Sequence, residues 1–185
     1  MKKNPALFGL LITIGIAIIS YTIYLNYLQK VDTYLITNPS EDYLEVKIDD
    51  QEYKLAPNQN APIKLRGGDH SLSFTYDGKQ TDTIFNIKRA NAIINPTRAE
   101  YYVFVRPYGA ARNVDSLFTS QTITIDEKVY NGNITRHDGL YIEDFYYNLN
   151  HKYPKLFIKK GGMADDLSKI FTKDDFIQFY FENYE

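Results

Sequence analysis

From Ala6 to Leu25 the chain reads ALFGLLITIGIAIISYTIYL, 20 residues without a charge. As an α-helix this stretch extends about 30 Å, the thickness of a bilayer's hydrocarbon core. Eleven of its residues are Leu, Ile or Phe. At roughly −0.3 to −0.6 kcal/mol each, their insertion contributes on the order of −3 to −7 kcal/mol. Thr13, Ser20 and Thr22 carry short hydroxyls that can bond back onto helix carbonyls, and Tyr21, Tyr24 and Tyr27 stand toward the end where rings favour the headgroup level. The stretch is apolar on every face, unlike a helix that lies on a soluble core. The sequence therefore predicts a transmembrane helix over 6–28, a signal anchor following a short tail at 1–5. A cleaved signal peptide ends its apolar core in small residues, whereas Ile23, Tyr24 and Leu25 prolong it here. Lys2 and Lys3 precede the helix and only Lys30 follows it closely. The positive-inside rule then predicts a cytoplasmic N-terminus and a single-pass chain whose body is extracytoplasmic, periplasmic or extracellular.

Beyond Lys30 the period changes from an unbroken apolar run to alternation. In Tyr43-Leu-Glu-Val-Lys-Ile-Asp, positions 44, 46 and 48 are apolar and 45, 47 and 49 charged, the pattern of a strand with one wet face. Ser71–Tyr76 repeats it with Leu72, Phe74 and Tyr76 inward, and shorter sets occur at Tyr53/Leu55, Ile63/Leu65 and Thr83/Phe85/Ile87. Residues 33–37 add a strand, and 101–105 is apolar on both faces, as a central strand is. Breakers fall between them at Asn38-Pro39-Ser40, Asp49-Asp50, Pro57-Asn58, Gly67-Gly68, Asp77-Gly78 and Asn95-Pro96-Thr97. Short strands with turns at this spacing predict an antiparallel sandwich or barrel, here assigned as sandwich-like. Tyr numbers 17 and Phe 11, and their flat rings suit a pleated surface. The fold class expected is mainly β: the transmembrane helix, a β-sandwich-like domain at 31–108, a linker at 109–120 and a smaller α+β unit at 121–185.

In that last unit Thr122–Asp126 alternates, and Ile125-Asp-Glu-Lys-Val-Tyr130 echoes Ile48-Asp-Asp-Gln-Glu-Tyr53, a recurring hairpin recipe rather than a duplication. Leu156–Ile158 reads as a short strand. Thr172 with Asp175 three residues on forms a capping-box-like start. It opens a terminal helix whose Phe176, Phe179 and Tyr180 share one face.

Gly67-Gly68-Asp69-His70 raises the question of a phosphate-binding loop. Such a loop places its glycines between a buried strand and a helix, but a period-2 strand follows here, so the sequence predicts a hairpin corner. The run Leu55-Ala-Pro57, Ile63-Lys-Leu65 and Gly68-Asp-His70-Ser-Leu72-Ser-Phe74 resembles the PEGA-type domain, a small β-domain of bacterial envelope proteins with a proline-bearing turn, a short strand and a Gly-x-His hairpin. The resemblance covers roughly residues 44–88. It implies an extracytoplasmic β-module for surface display or protein contact and brings no catalytic residues.

Little else in the chain points to chemistry. There is no Cys, which excludes disulfides, thiolate sites and a lipid-bearing cysteine. With Lys2, Lys3 and Lys30 set aside, 18 basic residues face all 23 acidic ones, so the body from residue 31 carries −5. That balance gives no footprint for nucleic acid. His70, His137 and His151 are not at metal-ligand spacing, and no metal or other cofactor is expected. Arg136-His137-Asp138-Gly139 reads as a turn before Leu140–Ile142, and Asp49-Asp50, Asp165-Asp166 and Asp174-Asp175 lack the alternating spacing of a calcium loop. Asn133-Ile-Thr135 matches a glycosylation acceptor, a pattern frequent by chance. No nucleophile elbow or catalytic constellation is present, and the expectation is a non-enzyme. The feature that stands out is aromatic: Tyr141, Phe145, Tyr146, Tyr147 and Tyr153 form a candidate binding face, since Tyr offers rigid area with a polar tip. The expected role is an integral membrane protein whose body meets an envelope protein partner. The alternative is a carbohydrate or cell-wall binding module using the Tyr-rich face.

Overall fold

Alternation becomes burial in β2 (Leu44–Ile48), where Leu44, Val46 and Ile48 are buried and Glu45 and Lys47 exposed. The computed structural model describes residues 5–24, 31–88, 91–108, 121–153 and 165–184. After helix α1 (Pro5–Ile23) come β1 (Val31–Asn38), β2, β3 (Gln51–Leu55), β4 (Gln59–Arg66), β5 (Gly68–Tyr76), β6 (Lys79–Ile87), β7 (Ile93–Ile94) and β8 (Tyr101–Tyr108). They are followed by β9 (Thr122–Ile125), β10 (Lys128–Asn131), β11 (Asn133–His137), β12 (Tyr141–Ile142), β13 (Asp165–Thr172) and helix α2 (Lys173–Tyr184). The protein is mainly β.

Two four-stranded sheets, ordered β12-β7-β1-β4 and β3-β2-β5-β6, enclose the first core. Tyr34 and Ile36 of β1 and Ile63 and Leu65 of β4 meet Val46, Ile48, Leu72, Phe74 and Phe85 from the opposite sheet. Within these two sheets the described pairings are antiparallel except the short β1–β7 contact, Leu35 with Ile93 and Ile36 with Ile94. From Tyr34 to Asn38 β1 is buried on both faces, and its Leu35 joins Ile93, Tyr101, Val103, Ile142 and Ile170 in a second core. The far wall of that core is a three-stranded sheet, β11-β8-β13. β8 is in turn the central strand, as its two-sided apolarity predicts. Its Tyr102 and Phe104 face away into a third core, closed by the β9–β10 hairpin and α2 through Ile125, Tyr130, Phe176 and Tyr180. Sheet, sheet, sheet and helix-with-hairpin thus alternate with three cores.

The pairings run across residues 109–120 in both directions. β8 pairs with β11 and β13, whereas β12 pairs with β7 on the edge of the first sheet. The linker at 109–120 and the strand expected at Leu156–Ile158 lie outside the described residues. Asp165-Asp166 opens β13, paired with Pro107 and Tyr108. The segments Asp49-Asp50, Asp77-Gly78 and Asp126-Glu127 are all two-residue hairpin loops, joining Ile48 to Gln51, Tyr76 to Lys79 and Ile125 to Lys128. The two echoing hairpins differ in backbone. Asp126 and Glu127 both take positive φ (46° and 66°), whereas in the Asp49-Asp50 loop only Asp49 does (52°).

One expectation needs correction. Gly67-Gly68 is a corner but not of a hairpin, because β4 pairs with β1 and β5 with β2 and β6. The chain crosses here from one sheet of the sandwich to the other. Gly68, at φ +121°, supplies a conformation L-residues rarely adopt. His70 staples the crossing: its Nδ1 lies 2.7 Å from Asp49 Oδ2 and its Nε2 2.8 Å from the Arg66 carbonyl. Partial burial of Asp49 opposes ionisation, but hydrogen bonds from His70 and Ser71 outweigh it and hold its carboxyl below the usual range.

Among the described residues, no helix is long and apolar enough to cross a membrane. Of the stretch expected to be helical, α1 covers Pro5–Ile23, and residues 25–28 lie outside the described residues. Its side chains are described from Gly9 to Tyr24. Every one of those residues except Gly15 is exposed. Thr13 and Thr22 donate to the carbonyls of Gly9 (3.1 Å) and Ile18 (2.9 Å), so their hydroxyls are satisfied within the helix.

Candidate functional site

The five aromatic residues of the expected binding face do not share one surface. Tyr141 on β12 is half-buried against the first core, 5.9 Å from the Phe85 ring. Phe145 is buried in the second core. Tyr153 lies against the third, its hydroxyl between the carbonyls of Leu167 (2.6 Å) and Phe104 (3.1 Å). The Arg106 guanidinium lies 4.0 Å from the Tyr153 ring centroid, a cation held over the negative face of an aromatic. Burial pushes the Tyr153 phenol well above its ordinary value, although Arg106 pulls the other way. These three side chains are occupied in structural contacts.

Tyr146 and Tyr147 differ. Tyr146 is 65% exposed, and the Tyr147 ring meets it edge-on, with centroids 4.9 Å apart. His151 stands edge-on to Tyr147 at 6.4 Å, and Tyr153 lies 6.2 Å behind it. Tyr146, Tyr147 and His151 line an open groove of about 620 Å³ with Asn91, Phe145 and Lys152.

The backbone beneath the rings is bonded at almost every step. The Tyr146 amide donates to the Ser168 carbonyl and hydroxyl, each at 3.0 Å, and the Tyr147 amide to the same carbonyl at 2.9 Å. Ile170 N returns a bond to Tyr147 O at 3.1 Å. From the other side Asn91, at φ 77°, donates Nδ2 to the carbonyls of Tyr146 (2.6 Å) and Phe145 (3.2 Å). Lys169, buried, reaches the carbonyls of Asn148 (2.8 Å) and Leu149 (3.3 Å). Desolvation lowers its amine to about 8, against a small opposing pull from Asp175. The groove floor is a loop fixed from β13 on one side and from Asn91 on the other.

Sequence reasoning finds Tyr146 and Tyr147 but misses Asn91, Ser168 and Lys169. They lie in other elements, and no local pattern marks them as partners of residues 145–149. The remaining candidates are dispersed. Arg136 pairs with Glu100 at 3.3 Å, and Glu100 accepts the Tyr102 hydroxyl at 2.8 Å, with burial and that carboxylate raising the phenol to about 12. His137 is lowered by burial, against Asp144 and Asp138, and no nucleophile is bonded to it among the described residues. Asn133 and Thr135 are exposed on β11. Asp174 and Asp175 occupy the first turn of α2. No group of three or more acids or histidines capable of holding a metal occurs among the described residues. A second groove, on the outer face of β2 and β3, is spanned by the exposed Lys54–Glu45 pair at 2.7 Å, a solvated contact of small energetic consequence.

No family model, curated protein or solved structure matches this chain. The groove at Tyr146 is therefore read from its own chemistry: a displayed phenol ring, a second ring braced against it, one lysine and one imidazole, on a fixed backbone.

Proposed function

We propose that this is a single-pass, membrane-anchored envelope protein with a cytoplasmic N-terminus and an extracytoplasmic β-rich body that meets a protein partner. The observation that carries the reading is the contrast between α1 and everything after it. From Ala6 to Leu25 no residue is charged, and Leu10, Leu11, Ile12, Ile14, Ile16 and Ile18 are all exposed. By contrast, no described side chain of α1 joins any of the three cores. An apolar helix with no protein to cover it is stable where lipid covers it. The PEGA-like run at 44–88 supports display of the body outside the cytoplasm. The test is extraction of membranes with alkaline carbonate. The full-length chain is expected in the pellet, and recovery in the supernatant with its initiating Met intact would refute the reading. A reporter fused after Glu185 tests the orientation.

One observation favours a second reading, carbohydrate or cell-wall binding. Tyr146 is held exposed by backbone bonds rather than folded into a core, and a displayed flat ring suits the C–H face of a sugar. Retention of the full chain on wall polysaccharide is expected, with loss on Tyr146→Ala and Tyr147→Ala.

A further inference from the structure

We propose that the groove beside Tyr146 takes a saccharide bearing a carboxylate, an acidic glycan in preference to a neutral one. This rests on the second reading above and adds to it the sign of the ligand's charge.

Charge carries the argument first. The body from residue 31 has 18 basic and 23 acidic residues, so a surface groove drawn at random meets more acid than base. Among the described residues lining this one, Lys152 is a cation and none is acidic. Lys152 is exposed, so its ammonium is available to a ligand. The Asn91 amide hydrogens are spent on the carbonyls of Phe145 and Tyr146. That leaves Lys152, His151 and the phenols to meet polar groups of a ligand. An ammonium donates three hydrogens and accepts none, and a carboxylate is the matching acceptor.

Shape carries the second part. The groove's 620 Å³ falls within the range of small-ligand sites, about 300–1,000 Å³. It is an open trough flanked by a ring, not a deep pocket for an apolar side chain. A pyranose lies flat on such a ring, its C–H groups against the negative face. The loop is already ordered by Ser168, Ile170, Lys169 and Asn91, so binding loses little conformational freedom. A ring stacked on Tyr146 would share the groove with Lys152.

The experiment uses the full chain in detergent micelles and two probes of one backbone, oligogalacturonate and its methyl ester. Esterification removes the charge and keeps the sugar ring. The ester is expected to bind about three- to tenfold more weakly, as for one exposed charge-assisted contact. Lys152→Gln should bring the acid form down to the level of the ester, and Tyr146→Ala should abolish retention of both. Both positions are exposed, so the variants should keep the wild-type circular dichroism. Equal binding of acid and ester would overturn the inference while leaving the second reading standing. Binding of neither would end both, as would binding indifferent to Tyr146→Ala. Poly-glutamate competing equally well through Lys152 would make the occupant an acidic polypeptide and overturn the saccharide assignment.

Discussion

Lys169 shows how one buried cation can organise a loop at a cost. Its ammonium is removed from water, which destabilises the charged form, yet two backbone carbonyls accept from it. A neutral amine still has two hydrogens to donate, so both bonds survive deprotonation. Below about 8 the group is charged in both the folded and unfolded chain and the full desolvation cost is present. Between about 8 and its ordinary 10.5 the unfolded chain holds the proton and the folded chain does not, so stability rises with pH. Tyr102 acts oppositely: its folded value near 12 lies above the ordinary 10.0, so its contribution is present below 10 and lost as pH climbs toward 12. A comparison between about pH 7 and pH 9.5 isolates the lysine on the basis of these shifts. The wild-type urea midpoint is expected to gain over that interval relative to Lys169→Met. A difference between the two that does not change with pH would show that Lys169 is not the group titrating. The asparagines at the strand ends are residue-scale staples of a different kind. Asn38 and Asn95 are fully buried in Asn-Pro-Ser and Asn-Pro-Thr turns. Asn95 donates to Ala99 O (2.9 Å) and Gly139 O (3.1 Å) and accepts from Thr97 and Ala99 (both 3.2 Å).

At the scale of the element, α2 is the case where local signals and tertiary packing agree. Thr172 Oγ1 accepts from the Asp175 amide at 3.2 Å, and its hydroxyl donates to the Asp175 carboxylate at 2.7 Å. Phe176 and Tyr180 are buried and Phe179 half-buried on the same side. Removing the cap with Thr172→Ala is expected to cost about 1 kcal/mol. Phe176→Ala, which opens a cavity among Tyr102, Phe104, Tyr130 and Phe171, should cost about 3–5 kcal/mol. Denaturant unfolding of both variants checks the ratio; equal losses would mean the helix is held by its cap rather than its face. The same agreement made β2, β5 and β8 readable from their periods and the Asp77-Gly78 turn from its residues, with φ of 51° and 69° at its two positions. β7 was not readable because two residues carry no period, and β13 was not because Asp165-Asp166-Leu-Ser-Lys alternates neither cleanly nor in apolar residues. Its burial comes from β8 alongside, not from its own sequence. The Tyr146 groove was half-legible for the same reason: the rings are local, while the groups that hold them are brought from β13 and Asn91 by the topology.

For the whole molecule the decisive feature is the exchange of strands across residues 109–120. A fragment ending at residue 108 would keep the sandwich sheets but lose β12 from the edge of β7, and β11 and β13 from both edges of β8. Tyr101, Tyr102, Val103 and Phe104 would then be stripped of Ile142, Ile170, Phe171 and Phe176, the residues that bury them. Each such side chain is worth about 1.5–3 kcal/mol when fully buried, so four of them exceed half of a typical domain's net stability. Both edges of β8 would also offer unpaired backbone to other chains. Residues 31–108 alone are therefore expected to aggregate or to populate an unfolded state. Residues 31–185, which keep all three cores and omit α1, should unfold in one cooperative transition by both near-ultraviolet dichroism and tyrosine fluorescence. A soluble, cooperatively folding 31–108 fragment would mean that the first sandwich stands by itself and that β8 serves it without partners. Two separate transitions in 31–185 would mean that the second core, shared by β1, β7, β8, β12 and β13, does not couple the sheets on either side of it.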